Sequence, residues 1–287
     1  MTTFAITSCQ PGDGKTTVAM GLLRVFADLF DGYRRAGEAR DDEQFVRACS
    51  VDAGSTGVLV ESDSRDAGAG PGFLVASYRG EGTAAALGAA RRDGAAIGLF
   101  LTGVPPGHID SFTRNGRVVI EAAAGVPLLG VVPEIRSLRG ATVLELARFL
   151  GAGVLAGQAG IYNFVENYMV GAMSHVSGIP YFSRKENKAV ICGGHRIDIH
   201  LAALGTPCQC LVATGGVVPD PVVLDRAEIE GVPILQVEDD AVRTIDRVSR
   251  FLRQVRFRHR EKVDALIPAF REHVDVAAVR RSVAGAV

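Results

Sequence analysis

Ser8-Cys9-Gln10-Pro11-Gly12-Asp13-Gly14-Lys15-Thr16-Thr17 is the stretch on which the reading of this chain turns. Ahead of it, Phe4-Ala5-Ile6-Thr7 has the apolar run of a strand. Behind it, Val18-Ala19-Met20-Gly21-Leu22-Leu23-Arg24-Val25-Phe26 has the pattern of a helix. A glycine-rich turn between a strand and a helix is a place for phosphate. Small residues let backbone N–H groups approach the anion, and the helix N-terminus adds partial positive charge. Lys15 adds a full charge, and Thr16 is placed to offer its hydroxyl to Mg²⁺ bound to the same phosphates. Gly12, Asp13, Gly14, Lys15, Thr16 and Thr17 are therefore the expected nucleotide-binding residues. The usual spacing puts glycine where this chain has Cys9, while the Gly-Lys-Thr-Thr core is intact. The alternative is an ordinary strand–helix turn whose lysine is solvated.

Such a loop needs a carboxylate near Mg²⁺, outside the carboxyl ends of parallel strands. Gly57-Val58-Leu59-Val60-Glu61-Ser62-Asp63 is a short buried-strand run that ends in acids, with Glu61 the first candidate and Asp63 the second. Asp42 is a further candidate metal ligand, although Asp41 and Asp42 serve equally as the start of a helix over 43–49. Asp31-Gly32 marks a turn, and a short strand after it would bring Arg35 beside the loop. Arg35 then faces a phosphate or an acidic substrate, or forms a solvated basic pair with Arg34.

The 287 residues allow one large or two medium domains, and 47% hydrophobic content allows a proper core. A net charge of −1 gives no support for general binding to nucleic acid or anionic membranes. No apolar run is long enough to span a bilayer, and the N-terminus shows no basic, apolar leader, so a cytoplasmic protein is expected. Cys9, Cys49, Cys192, Cys208 and Cys210 are scattered, as small buried residues in a reducing compartment would be. Cys208-Gln209-Cys210 is too short for a metal knuckle, and His195 and His200 complete no three-ligand zinc set.

Strand and helix alternate through the first half. Strands are expected at 73–76, 97–102 and 128–133, helices at 82–93 and 115–124, and a glycine-rich loop at 65–72. This alternation predicts an α/β fold with a mostly parallel sheet flanked by helices. Leu138-Arg139-Gly140 reads as a junction. Thr142 can cap a helix over 143–150 that Gly151 stops, and a strand over 153–156 follows. A strand over 189–192 then ends at Gly193-Gly194-His195-Arg196 before a helix over 197–204, and a strand over 209–213 ends at Thr214-Gly215-Gly216. Each is a backbone-rich loop suited to an anion or nucleotide, with Arg196 for a phosphate or carboxylate and Asp198 to buttress it or bind a ribose. Two tight turns with a surface Arg–Asp pair are the alternative. A helix over 221–230, a strand over 232–237 and a helix over 239–253 close this half, the last with Val242, Ile245, Val248 and Phe251 on one face. The basic run over 253–262 reads as a solvated connector.

The first half resembles the dethiobiotin-synthetase-like phosphate-loop domain. The second resembles the DRTGG domain, on Val170-Gly171-Ala172-Met173-Ser174, Asn187-Lys188-Ala189-Val190-Ile191-Cys192-Gly193-Gly194-His195-Arg196-Ile197-Asp198-Ile199 and Ala213-Thr214-Gly215-Gly216-Val217-Val218-Pro219-Asp220-Pro221. The two occur in this order in the N-terminal region of long bacterial phosphotransacetylases and in stand-alone proteins. The resemblance implies domains at 1–138 (phosphate loop) and 139–260 (DRTGG), followed by a helical tail at 261–287. It implies ATP and Mg²⁺ as cofactors, with Thr16, Glu61 and Asp42 toward the metal. A second small ligand would lie at Gly193, Gly194, Arg196, Asp198, Thr214, Gly215 and Gly216. It also implies a homodimer and a regulatory, ligand-sensing role without the acetyltransferase domain. His195 stands where the family usually has aspartate, and Arg35 where dethiobiotin-synthetase-like proteins usually have lysine. The alternative function is an ATP-dependent ligase that activates a carboxylate by phosphorylation, in which Lys15 and Arg35 are the catalytic residues.

Overall fold

The computed structural model describes residues 2–36, 40–50, 57–62, 70–90, 96–112, 116–172 and 175–287. They fall into two units, Met1–Leu138 with Phe257–Val287, and Arg139–Arg256.

The first unit begins with β1 (Thr2–Ser8), α1 (Lys15–Val25), β2 (Phe30–Arg35), α2 (Arg40–Cys49), β3 (Gly57–Glu61) and β4 (Gly72–Ser77). It continues with α3 (Gly82–Ala90), β5 (Ala96–Val104), α4 (Pro106–Ser111), α5 (Arg117–Ala124) and β6 (Leu128–Pro133). The strands form one sheet in the order β2-β3-β1-β4-β5-β6, and every pairing is parallel. Both faces are covered, so β4 and β6 read as continuous apolar runs without polar alternation. Successive side chains still go to opposite faces. Phe73 and Val75 of β4 join Phe4, Phe30 and Phe100 in one core, while Leu74 and Ala76 join Leu87, Leu99, Leu101 and Ile120 in the other.

The second unit comprises β7 (Ala141–Thr142), α6 (Val143–Leu150), β8 (Gly153–Ala156), β9 (Phe164–Val165), β10 (Asn167–Val170) and α7 (His175–Phe182). It ends with β11 (Lys188–Gly193), α8 (Ile197–Leu204), β12 (Cys208–Thr214), α9 (Pro221–Glu230), β13 (Ile234–Gln236) and α10 (Ala241–Leu252). Its main sheet runs β10-β11-β12-β13-β8, parallel except for β8, which is antiparallel to β13. Local chemistry sets the helix ends. Thr142 and Glu145 form a capping box on α6, Asp220 caps α9 ahead of Pro221, and Gly151 and Gly231 stop their helices at left-handed φ. Among the four residues expected on one face of α10, Val248 and Phe251 are buried and Ile245 partly so, but Val242 is 77% exposed. The buried stripe runs through Thr244, Val248 and Phe251, and steps of three residues drift by about 60° each, which carries Val242 off that stripe. Gly178 and Pro180 hide α7 from a periodicity reading.

The chain then returns to the first unit through α11 (Arg260–His273) and α12 (Val276–Ala284). The segment 261–287 is thus helical but not a separate tail. Lys262, expected in a solvated connector, is fully buried. It lies on the face of α11 that also carries Val263, Leu266 and Phe270, a helical spacing that turns into the core. The Phe270 ring stacks on Phe100 with centroids 5.9 Å apart, and it packs against Gly21 of α1, where a Cβ would overlap it. Asp275 caps α12, and its N–H donates to Leu129 O at 2.8 Å, which covers the outer edge of β6. All five cysteines are free; Cys49 is half-buried and the others buried. Among the described residues, no helix is long and apolar enough to cross a membrane.

Candidate functional site

The turn between β1 and α1 sits at the carboxyl edge of the first sheet. There β1 lies between β3 and β4, and the connections from β1 and β4 diverge to opposite sides. Gly12 and Gly14 have φ of +86° and +90°, which side chains with a Cβ rarely adopt. Gly14 is also crowded, since a Cβ would lie 3.3 Å from the Thr102 side chain. Lys15 opens α1 as a buried residue, and its Nζ donates to Ser8 Oγ at 3.2 Å across the turn.

Asp13 braces this turn. Its carboxylate accepts from Gln10 N–H at 2.8 Å, from Ser77 Oγ at 2.7 Å and from Arg79 Nη2 at 2.9 Å. Its carbonyl accepts from Thr102 Oγ1 at 2.6 Å. The side chain expected to meet nucleotide is therefore turned into the protein and 1% exposed.

Glu61 ends β3 and is 2% exposed. Thr16 Oγ1 donates to its Oε2 at 2.8 Å, and Tyr33 OH donates to the same oxygen at 2.5 Å. Arg35 Nη2 lies 3.7 Å from Oε1. Tyr33 and Arg35 are alternate residues of β2, so both come from one face of that strand. Arg47 of α2 steadies the strand, donating to Tyr33 O at 2.9 Å while paired with Glu43 at 2.7 Å. Burial, then the negative charge of Glu61, hold the Tyr33 hydroxyl protonated far above its ordinary range. A hydroxyl and a carboxylate beside the glycine turn and Lys15 are hard oxygen donors, of the kind that hard cations such as Mg²⁺ take. Among the described residues, no group of three or more His, Cys, Asp or Glu could hold a metal ion. The side chains of Asp41 and Asp42, and all of Asp63, lie outside the described residues.

The structure brings Thr16, Glu61 and Arg35 together, although Arg35 turns inward to Glu61. Thr17 is half-buried in the first turn of α1. Tyr33, Ser77, Arg79 and Thr102 were missed in the sequence. The signal was the one that found Glu61. Polar residues that follow a buried-strand run, as Ser77 and Arg79 follow Phe73–Ala76, lie at the carboxyl edge. Tyr33 stands two residues before Arg35 on the same strand face.

In the second unit, Gly193 of β11 pairs in register with Thr214 of β12, so the two glycine loops are neighbours. Their amides are largely engaged. Gly194 N–H donates to Thr214 O at 3.0 Å, Gly215 N–H to Asp239 O at 2.8 Å and Gly216 N–H to Val237 O at 2.9 Å. At Gly215-Gly216, where amides for an anion were expected, both amides are taken up by backbone carbonyls, and φ is left-handed at +83° and +67°. Arg196 and Asp198 form a two-pronged pair at 2.9 and 3.0 Å, which raises the Arg196 pKa and lowers that of Asp198. His200, two residues on, is fully buried with neither ring nitrogen hydrogen-bonded. Burial lowers its pKa to about 4, with smaller opposing effects from Asp198 on one side and His195 and Arg196 on the other.

The DRTGG domain family matches residues 145–251, so the chain contains a DRTGG domain. The chain is also related in sequence to phosphate acetyltransferases. That of Nitratidesulfovibrio vulgaris is 29% identical over 157 residues, which cover 50% of this chain and 22% of that protein. That of Deinococcus radiodurans is 26% identical over 176 residues, covering 57% of this chain and 25% of that protein. The chain therefore spans about a quarter or less of the curated relatives it matches. Among solved structures, the CBS and DRTGG domains of the regulatory region of Clostridium perfringens pyrophosphatase, complexed with the activator diadenosine tetraphosphate, match at 20% identity. That match covers 38% of this chain and 45% of the other with a TM-score of 0.33.

Proposed function

We propose that the chain is a Mg-nucleotide-binding regulatory module of the kind found in the N-terminal region of long phosphotransacetylases. The observation that carries this reading is the turn at Gly12–Gly14. Its two left-handed glycines precede Lys15 at the carboxyl edge of a parallel sheet, and Thr16 and Glu61 meet 2.8 Å apart beside it. The dethiobiotin-synthetase-like character of the first unit belongs to this proposal. ATP would lie along residues 12–17, and Thr16 and Glu61, with Asp42 as a third candidate, would hold Mg²⁺. The cation, when bound, offsets phosphate charge. The chain's own part is to orient the phosphates with Lys15 and to hold Glu61 in place with Tyr33 and Arg35. In the second unit, Arg196 and Asp198, beside Thr214 and the glycine loops, would meet a second small ligand. The DRTGG unit would also serve in dimerisation.

The test is calorimetric titration of ATP with and without Mg²⁺ into wild type and Lys15→Ala, with ADP release measured on the same samples. Mg²⁺-dependent binding that Lys15→Ala abolishes, with negligible turnover, is expected. Turnover that depends on an added carboxylic acid would replace the sensor with the ligase reading. No nucleotide binding at all would refute both.

A further inference from the structure

Asp13 is an acid inside a turn meant for an anion. It stands between the two left-handed glycines, its side chain is buried, and its charge opposes that of Lys15 two residues on. A buried carboxylate left uncompensated there would repel phosphates strongly, because low-dielectric surroundings screen it poorly. The compensation comes from the neighbouring strand of the sheet. Arg79 lies just beyond β4, and its Nη2 meets Asp13 Oδ1 at 2.9 Å in an ion pair. Its Nη1 donates to Gln10 Oε1, and Ser77 Oγ donates to the same Asp13 oxygen at 2.7 Å. Arg79 is itself anchored, since its backbone N–H donates at 2.8 Å to Thr83 Oγ1 at the start of α3.

We infer that Arg79 is a positioning residue of the phosphate loop, which neutralises Asp13 so that the field of Lys15 and the α1 N-terminus reaches the polyphosphate chain of a nucleoside triphosphate. This rests on the reading of residues 10–17 as a phosphate loop. Arg79 touches no ligand in this role. It acts through Asp13, and its effect on binding is one of charge.

The experiment titrates tripolyphosphate and ATP, each with Mg²⁺, into the full chain as wild type, Arg79→Ala, Asp13→Asn and the Arg79→Ala/Asp13→Asn double variant, with thermal melts as the control for folding. Arg79→Ala is expected to weaken both probes by roughly 10- to 100-fold, the range of a site-to-site coupling. The double variant is expected to recover most of that loss, because no acid remains to oppose Lys15. A merely structural brace predicts the opposite, a double variant at least as weak as the single one, and that result would overturn the inference. So would an Arg79→Ala variant that binds like wild type. Asp13→Asn alone keeps the guanidinium and decides the matter should Arg79→Ala fail to fold; it is expected to bind at least as tightly as wild type, and weaker binding overturns the inference. Wild-type binding of tripolyphosphate without ATP would refute the nucleotide reading while the Arg79 comparison is still decided on tripolyphosphate. Binding of neither probe would end both.

Discussion

The two units carry the same kind of sequence signal at the same place, a glycine-rich loop at the carboxyl end of a parallel strand, yet they use it differently. At Gly12–Gly14 a backbone bond from Asp13 N–H to Gln10 O is joined by a set of side-chain interactions. Asp13 is tied to Gln10, Ser77 and Arg79, Lys15 to Ser8, and Thr16 to Glu61. At Gly215-Gly216 the glycine amides themselves are engaged by the carbonyls of Asp239 and Val237. Glycine grants a left-handed φ in both loops, but the hydrogen-bond accounting differs, with side chains tying the first turn and backbone carbonyls taking up the glycine amides of the second.

The largest effect that would sharpen this contrast lies in the core of the first unit. Phe270→Ala removes a fully buried ring stacked on Phe100, and it should cost about 3–5 kcal/mol. The loss should appear as faster amide exchange in β1, β5 and β6, with β11 and β12 unaffected. Equal loss of protection in both units would mean that they unfold as one body and break the comparison. Next in size, Lys15→Ala should weaken ATP binding by on the order of 100-fold, the scale of a lost charge-assisted contact. Arg196→Ala should leave ATP binding unchanged in the same titration. A loss of ATP affinity in Arg196→Ala would reverse the assignment of the two loops.

Acid should act on the second unit through His200. Its pKa in the folded chain, about 4, lies below the ordinary value of 6.5, so the unfolded chain binds more protons between the two. The stabilisation is complete above the ordinary value and is lost as pH falls toward the folded one, by about 2 kcal/mol near pH ~5. His200→Leu should flatten that pH dependence in urea melts followed by exchange in β11 and β12. A profile as steep as that of wild type would show that other groups set it. The smallest effect is expected at Arg196–Asp198, a half-exposed pair. Arg196→Ala should change stability by less than about 1 kcal/mol, and a larger change in its denaturation midpoint would mean the pair holds the loop together.

Much of the fold was legible because its signals are local. The helix Ile197–Leu204 and the helix Pro221–Glu230 with its stop at Gly231 stand at the bounds read from the sequence. The α/β class followed from the alternation of elements. Val242 differs from its expectation because three-residue steps drift around the helix, and the face that packs is centred on Thr244, Val248 and Phe251. Part of the candidate site was legible by position, since polar residues at the ends of strands lie at the carboxyl edge, which is how Glu61 and Arg35 stood out as candidates. Tyr33, Ser77, Arg79 and Thr102 did not stand out, because each acts on a residue brought close only by strand pairing.

By itself, then, the sequence determined the alternation of strand and helix, the glycine turn ahead of Lys15, and the cap at Thr142 with the stop at Gly151. These depend on dihedral preference and apolar period within a few residues. Only the tertiary structure decided that Phe257–Val287 completes the first unit, that Arg35 turns in to Glu61, and that Arg79 answers the charge of Asp13. Those choices depend on which strands lie side by side and on which buried charges then need partners, and neither is written in any local stretch of the chain.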